Sequence, residues 1–371
     1  MTTLALARYF LRLGTTGFGG PIALVGYMQR NLVEERHWFT SDEFSRGLAL
    51  AQISPGPLAT QLALYLGWLR GGVRGATVAG AAFIAPSLAM VLFISALYVR
   101  YGALAWLRPA FGGVAAAVVG ILARSAFKLA KMTLANDRLL WALAAVNATG
   151  VLLLKQESLV VLVLSGVVLV VSRHRRYAGV AVAIAPVWLV GALAAPAALP
   201  QLAGLFGYFA VAGAAVFGSG LAIVPYLYHG VVEQRHWLTE PQFLDAIAVS
   251  MITPGPVVIT VGFIGYLVAG IPGALVSALG VFLPVYLVVL VVAPHFERVR
   301  RNATVHLFVS GVTAGATGAI AGAAALLGTR VLTDVRAVAI AVVVILAIAT
   351  RLRMPEPLAI AGAGVIGVVL W

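Results

Sequence analysis

The sequence predicts an all-α polytopic membrane protein built from two inverted-topology repeats. Three observations carry this reading. Of the 371 residues, 62% are hydrophobic and only 10% are charged, with a mean hydropathy of +1.03, whereas soluble domains carry about a quarter charged residues. Apolar runs recur from end to end, as membrane helices require. One block also occurs twice, and both copies are interrupted at the same places.

The same composition excludes several classes. Short segments of alternating polarity are missing, so a β-barrel is not expected. Helices are the form in which lipid tolerates a backbone, because their polar groups are satisfied internally. With no Cys there is no disulfide framework and no thiolate metal site. The first twenty residues lack a basic stretch before their apolar run, and Phe18–Gly20 belongs to the duplicated block, so no cleavable signal is expected. The net charge of +13 follows chiefly from basic helix ends facing the cytoplasm; an anion pathway is the second source. No basic domain stands outside the apolar segments, so the partner is the lipid bilayer and not nucleic acid.

The duplication runs from "FGGPIALVGYMQRNLVEERHWFTSDEFSRGLALAQISPGP" at Phe18 to "FGSGLAIVPYLYHGVVEQRHWLTEPQFLDAIAVSMITPGP" at Phe217. The two align without a gap, and 17 of 40 positions are identical, too many for coincidence. After a one-residue deletion the match continues, and Pro86 meets Pro284.

Read in order, copy one begins with a short helix near 3–16 that stops at glycines, then another near 21–35 that stops at "EERHW". A third starts near Ser41 with Thr40 as its N-cap and stops at Pro55. A fourth starts at Pro57 and ends near Arg70. All four are too short for a hydrocarbon core about 30 Å thick, which takes about 20 residues. Proline ends one helix and is accepted at the start of the next, while glycine allows the reversal between them. Pro-Gly-Pro is therefore read as a hairpin tip, the alternative being a kink in one long helix. Full spans follow near 74–99 and 109–130. Copy two repeats the pattern near 202–216, 220–234, 240–253, 256–269, 272–293 and 305–328.

Each copy thus contains two re-entrant, broken-helix hairpins and two spans. Linking spans are placed near 138–155, 157–172 and 177–197, with terminal spans near 335–350 and 356–371. The units are 1–131, 132–199, 200–330 and 331–371. Three linking crossings invert copy two relative to copy one. Lys128, Lys131 and Arg138, then Arg173–Arg176, His295–Arg301 and Arg351–Arg353, count to the cytoplasmic side with the N-terminus; Arg100 and Arg330 are exceptions.

Broken helices expose N–H donors and partial positive charge where they begin, which suits a small anion. The candidate anion-binding residues at these breaks are Gly19, Gly20 and Pro21, Pro55, Gly56 and Pro57, then Gly218, Ser219 and Gly220, Pro254, Gly255 and Pro256. Thr60, Gln61 and Thr260 add side-chain hydrogen bonds. The repeated Arg36–His37 and Arg235–His236 either steer and gate an anion or anchor the chain at headgroup depth beside Trp38 and Trp237. In the anchoring reading Glu34 and Glu233 are the partners of the arginines. Arg46 and Asp245 occupy the same repeat position with opposite charge, so the copies differ in role. His174, His229, His295 and His306 lack ligand spacing, and no embedded nucleophile–base pair is found; neither an enzyme, a metal nor a cofactor is expected.

The "FGGP…EERHW…ISPGP" block and its second copy "FGSG…EQRHW…ITPGP" resemble the chromate ion transporter family, over both repeats. The resemblance implies a bacterial inner-membrane protein that exports chromate and confers resistance, with two oppositely oriented halves. "FGSG" departs from "FGGP", so the second hairpin differs. Sulfate, a similar dianion, is a second expected ligand, and a homodimer is compatible with the sequence. The alternatives are oxyanion uptake and a passive channel or scramblase. Export is favoured because the inside-negative potential drives a dianion outward, and no buried carboxylate cluster for a co-transported cation is apparent. His37 and His236 are the candidate proton carriers.

Overall fold

The computed structural model describes residues 2–18, 20–101, 107–154, 159–173, 201–215, 220–296, 302–349 and 354–370. Its regular structure is all helical. Copy one comprises α1 (Thr3–Thr16), α2 (Gly20–Met28), α3 (Ser41–Ile53), α4 (Leu58–Tyr101) and α5 (Leu107–Thr133). Then come α6 (Arg138–Leu154) and α7 (Leu159–Arg173). Copy two holds α8 (Gln201–Ala215), α9 (Val224–Tyr228), α10 (Glu240–Ile252), α11 (Thr260–Val292) and α12 (Ala303–Val331). The chain ends with α13 (Val335–Ala349) and α14 (Glu356–Leu370). The linking span expected near 177–197 lies outside the described residues.

Local chemistry sets the breaks. Thr40 caps α3 by accepting from the Glu43 N–H, and Glu43 accepts in return from the Thr40 N–H at 2.8 Å. Thr239 and Gln242 form the same box on α10. The short second helix of each copy ends in a π-helical turn, Gln29–Glu35 and His229–Gln234, where the sequence predicted plain helix. Each turn is then closed by a histidine with left-handed backbone, φ 50° at His37 and 49° at His236.

The proline breaks reverse the chain. A Cβ added to Gly47 of α3 would fall 2.5 Å from Tyr65 and 2.9 Å from Leu62 of α4, so the helices on either side of Pro55–Pro57 lie against one another. α4 breaks again at Gly71 and Gly72. There the carbonyl of Gly75 comes within 2.4 Å of where a Gly67 Cβ would stand. α11 repeats this at Ala269 and Gly270, with Gly265 against Gly273. One difference separates the copies: Val257–Ile259 is a 3-10 turn before α11, whereas α4 starts directly at Leu58. Three β-branched residues in succession disfavour the α start that Leu58-Ala59-Thr60 allows.

Among the described residues, four helices are long and apolar enough to cross a membrane: Leu58–Tyr101, Pro109–Thr133, Val257–His295 and Ala303–Val331. Phe93, Leu153, Val291 and Val369 are exposed, as side chains facing lipid are. Two main cores form inside. One gathers α1, α3 and the first part of α4, and recruits Val285 and Val289 from copy two. The other gathers α8–α11, α5 and the C-terminal helices, and recruits Val91 from copy one. Arg173 meets Asp137 at 2.6 Å, so α6 and α7 form an antiparallel pair. α12, lined with Gly and Ala, packs against α5, α6 and α7. Such small residues let helix backbones approach.

Candidate functional site

The two Pro-Gly-Pro turns are positioned reciprocally. Gly56 has φ +134°, and a Cβ there would stand 2.7 Å from Val285 of α11. Gly255 has φ +106°, and its Cβ would stand 1.9 Å from the Ser87 hydroxyl of α4. Ser87 follows Pro86 and Val285 follows Pro284, the pair aligned by the duplication. Each turn therefore sits on the same place of the other copy's long helix. Both glycines are required, by backbone conformation as well as by space.

Much of the polar capacity expected at these turns is used within the protein. The Gly255 N–H donates to the Gly17 carbonyl at 2.9 Å. The Gln61 amide donates to the Pro55 carbonyl and braces the first turn. The Thr260 hydroxyl donates to the Val257 carbonyl at 2.8 Å. These groups are fully buried or nearly so, and burial demands partners. They are not turned toward an open space, contrary to the sequence expectation. Thr60 Oγ1 and Gln61 Oε1 stay buried and unpaired behind the first turn. The Thr60 hydroxyl keeps a donor, whereas the free Gln61 oxygen is an acceptor and would repel an oxyanion.

The open space lies beside the turns. A cavity of about 500 Å³ is bounded by Gly20 and Pro21, by Ile53 and Leu58 on either side of the first Pro-Gly-Pro, and by Val257 just after the second. Its polar wall comes from elsewhere: Arg124 and Lys128 of α5, His306 of α12, and Glu356 of α14. Ser125, Thr133, Ser310 and Thr313 add hydroxyls. Arg124 also donates to the Ile348 carbonyl at 3.4 Å, which ties it to the end of α13. The Glu356 carboxylate faces Gly20, whose absent Cβ would be 3.8 Å from it. At roughly 30 Å³ per water, this volume corresponds to about 17 waters, enough for a small oxyanion with part of its hydration shell. Arg124 and Lys128, one helical turn apart, share the wall with the single Glu356 carboxylate, so a net positive charge remains, and with several hydroxyls it favours an anion.

Sequence reasoning missed this wall. The available signal was Arg124 and Lys128 spaced four apart in an otherwise apolar segment. Of the sequence-predicted residues, Gly20 and Pro21 line the cavity, while Pro55–Pro57 and Pro254–Pro256 do not. Gly19, Gly218 and Ser219 lie outside the described residues.

The repeated Arg-His-Trp turns lie apart from this cavity. The Arg36 guanidinium stands 4.8 Å from the Trp38 ring centre and 5.6 Å from that of Tyr9. Arg235 stacks likewise on Tyr208 and Trp237. Both are cation–π stacks, and Arg36 also lines a separate pocket with Arg12 and Glu35. The predicted carboxylate partners are placed differently: Glu34 is exposed, and Glu233 binds His229 at 3.0 Å and Arg330 at 3.4 Å. Arg330 also reaches Glu240 at 2.7 Å, so the far end of α12 is clasped to the polar turn of copy two. Among the described residues no cluster of metal-binding side chains occurs.

Comparison with known proteins agrees with both halves of the architecture. The chromate transporter family matches residues 4–171 and again residues 203–368. A chromate transport protein of Cupriavidus metallidurans is 47% identical over 375 residues, covering 100% of this chain and 94% of the relative. A probable chromate transport protein of Synechococcus elongatus is 48% identical over 339 residues, 89% of this chain and 86% of its own length. A chromate transport protein of Pseudomonas aeruginosa is 34% identical over 326 residues, 84% and 77% respectively. No solved structure matches the chain. With one family match on each half of the chain and close relatives along its whole length, this chain is a member of the chromate transporter family.

Proposed function

We propose that the protein exports chromate across the bacterial inner membrane and thereby confers resistance, with the Arg124–Lys128 cavity as the loading site. The observation that carries this reading is a cationic cavity bounded by the broken-helix turns of both copies. The relatives are chromate transport proteins by name. By the positive-inside count the C-terminal end of α5, with Lys128 and Lys131, faces the cytoplasm. The cavity then opens to the side from which export loads. The Arg330–Glu233–Glu240 clasp lies at the other end of α12 and closes the outer side. In this reading the proline hairpins are re-entrant, copy two is inverted, and exchange of open and closed ends moves the anion.

Membrane potential suffices as the energy source. Moving two negative charges outward across 100 mV yields about 4.6 kcal/mol, roughly a thousandfold gradient. The test is initial chromate uptake by inverted membrane vesicles under an imposed, interior-positive potential. Uptake should accelerate with potential, and Lys128→Gln and Arg124→Gln should each raise the half-saturating concentration at least about tenfold, as expected for lost charged hydrogen bonds. Flux that ignores the potential, or that keeps its wild-type saturation in both variants, refutes the assignment.

A further inference from the structure

Asp245 is the buried acid that this export mechanism leaves unused. It sits in α10, the helix that leads into the second Pro-Gly-Pro turn, and is 5% exposed. Its partner is the Tyr98 hydroxyl of α4, which donates to Oδ2 at 2.8 Å across the boundary between the copies. The Tyr98 ring is held edge-on between Phe111 of α5 and Phe263 of α11, at 5.5 and 5.1 Å. Among the described residues no cation reaches the carboxyl.

The surrounding helices explain why. Arg124 and Lys128 of α5 and Glu356 of α14 line the cavity instead. His229 and Glu233 of the neighbouring π-helical turn bind each other, and Glu233 also binds Arg330. α11 brings Phe263 and other apolar side chains. A buried, ionised carboxylate with one neutral donor carries a large desolvation cost. A protonated one does not. The equivalent residue of copy one shows what the fold does with a permanent charge at this position: Arg46 is exposed and pairs with Asp42 at 2.7 Å.

We infer that Asp245 is a proton-binding site, and that its proton is exchanged for the exported anion as α10 and the second turn move. The inference rests on the export reading, which sets its direction: an inward proton and an outward dianion both run downhill. The proton is taken up by Asp245 from the outer side while the site is empty of anion. It is released to the cytoplasm when the carboxyl meets water in the rearranged state. No other bond is made or broken.

The experiment uses the full chain in inverted vesicles with the potential clamped at zero. Chromate accumulation and the pH of the lumen are followed together. For the wild type, chromate uptake should make the lumen more alkaline, and one unit of acid-inside gradient should raise the accumulation ratio about tenfold for one proton exchanged. Asp245→Asn keeps an acceptor for Tyr98 and should abolish both responses. Tyr98→Phe keeps the carboxyl but removes the hydroxyl that steadies its charged form, so its flux-against-pH profile should move to higher pH. Wild-type chromate flux without proton movement overturns the inference and leaves export standing. Unaltered proton coupling in Asp245→Asn also overturns it, and if that variant carries no flux, an unshifted profile in Tyr98→Phe does so. No chromate flux in the wild type overturns the export reading and this inference together.

Discussion

Replacing Gly56 by alanine tests the reciprocal seating of the turns. The new Cβ would lie 2.7 Å from Val285 Cγ1 and 2.7 Å from the Gln61 amide nitrogen. Carbon atoms rest at about 3.5–4.0 Å, so close to 1 Å must be found in a fully buried site. Overpacking of this kind costs about 1–3 kcal/mol. The backbone at φ +134° lies where side chains rarely go and adds about 1–3 kcal/mol. Together the loss is about 2–6 kcal/mol, a large part of the stability of a typical domain. Trimming the opposing side chain in Val285→Ala relieves one clash but neither the backbone strain nor the displaced Gln61. In a double-mutant cycle the two substitutions should therefore couple favourably by about 1–2 kcal/mol. Unfolding of the purified protein in detergent measures each corner, and chromate flux is recorded alongside. Gly26→Ala is the control, since its Cβ meets nothing within 4 Å on an exposed helical face. Gly56→Ala within about 0.5 kcal/mol of wild type, or strict additivity with Val285→Ala, would show that the turn does not bear on α11 as described.

Two further predictions concern orientation and ligand. The chain has no Cys, so single cysteines at Thr40 and Thr239 report sidedness directly; in intact cells an impermeant thiol reagent should label one and spare the other, and equal labelling defeats the inverted arrangement. A wall of cations and hydroxyls reads charge and tetrahedral shape rather than the central atom, so a hundredfold excess of sulfate should slow chromate uptake, and nitrate should do so far less. Uptake indifferent to sulfate would mean that the cavity as described is not where selectivity is set.

What was legible in the sequence is what local chemistry decides. The breaks at Pro55–Pro57 and Pro254–Pro256 follow from proline's missing N–H and glycine's backbone freedom. The caps at Thr40 and Thr239 follow from a hydroxyl three residues before Glu43 or Gln242. The duplication itself announced that two such units exist. Packing decided the rest. The cavity draws Arg124, His306 and Glu356 from three helices far apart in the chain, so no local pattern holds them together. Gln61, Thr260 and the Gly255 amide looked available, but burial obliges each to find a partner nearby, and each found one in its own or a neighbouring turn. The clearest division is at the repeat position shared by Arg46 and Asp245. The sequence shows opposite charges there; only the tertiary structure, by exposing one helix end and sealing the other among aromatic rings, makes one a surface ion pair and the other a buried acid.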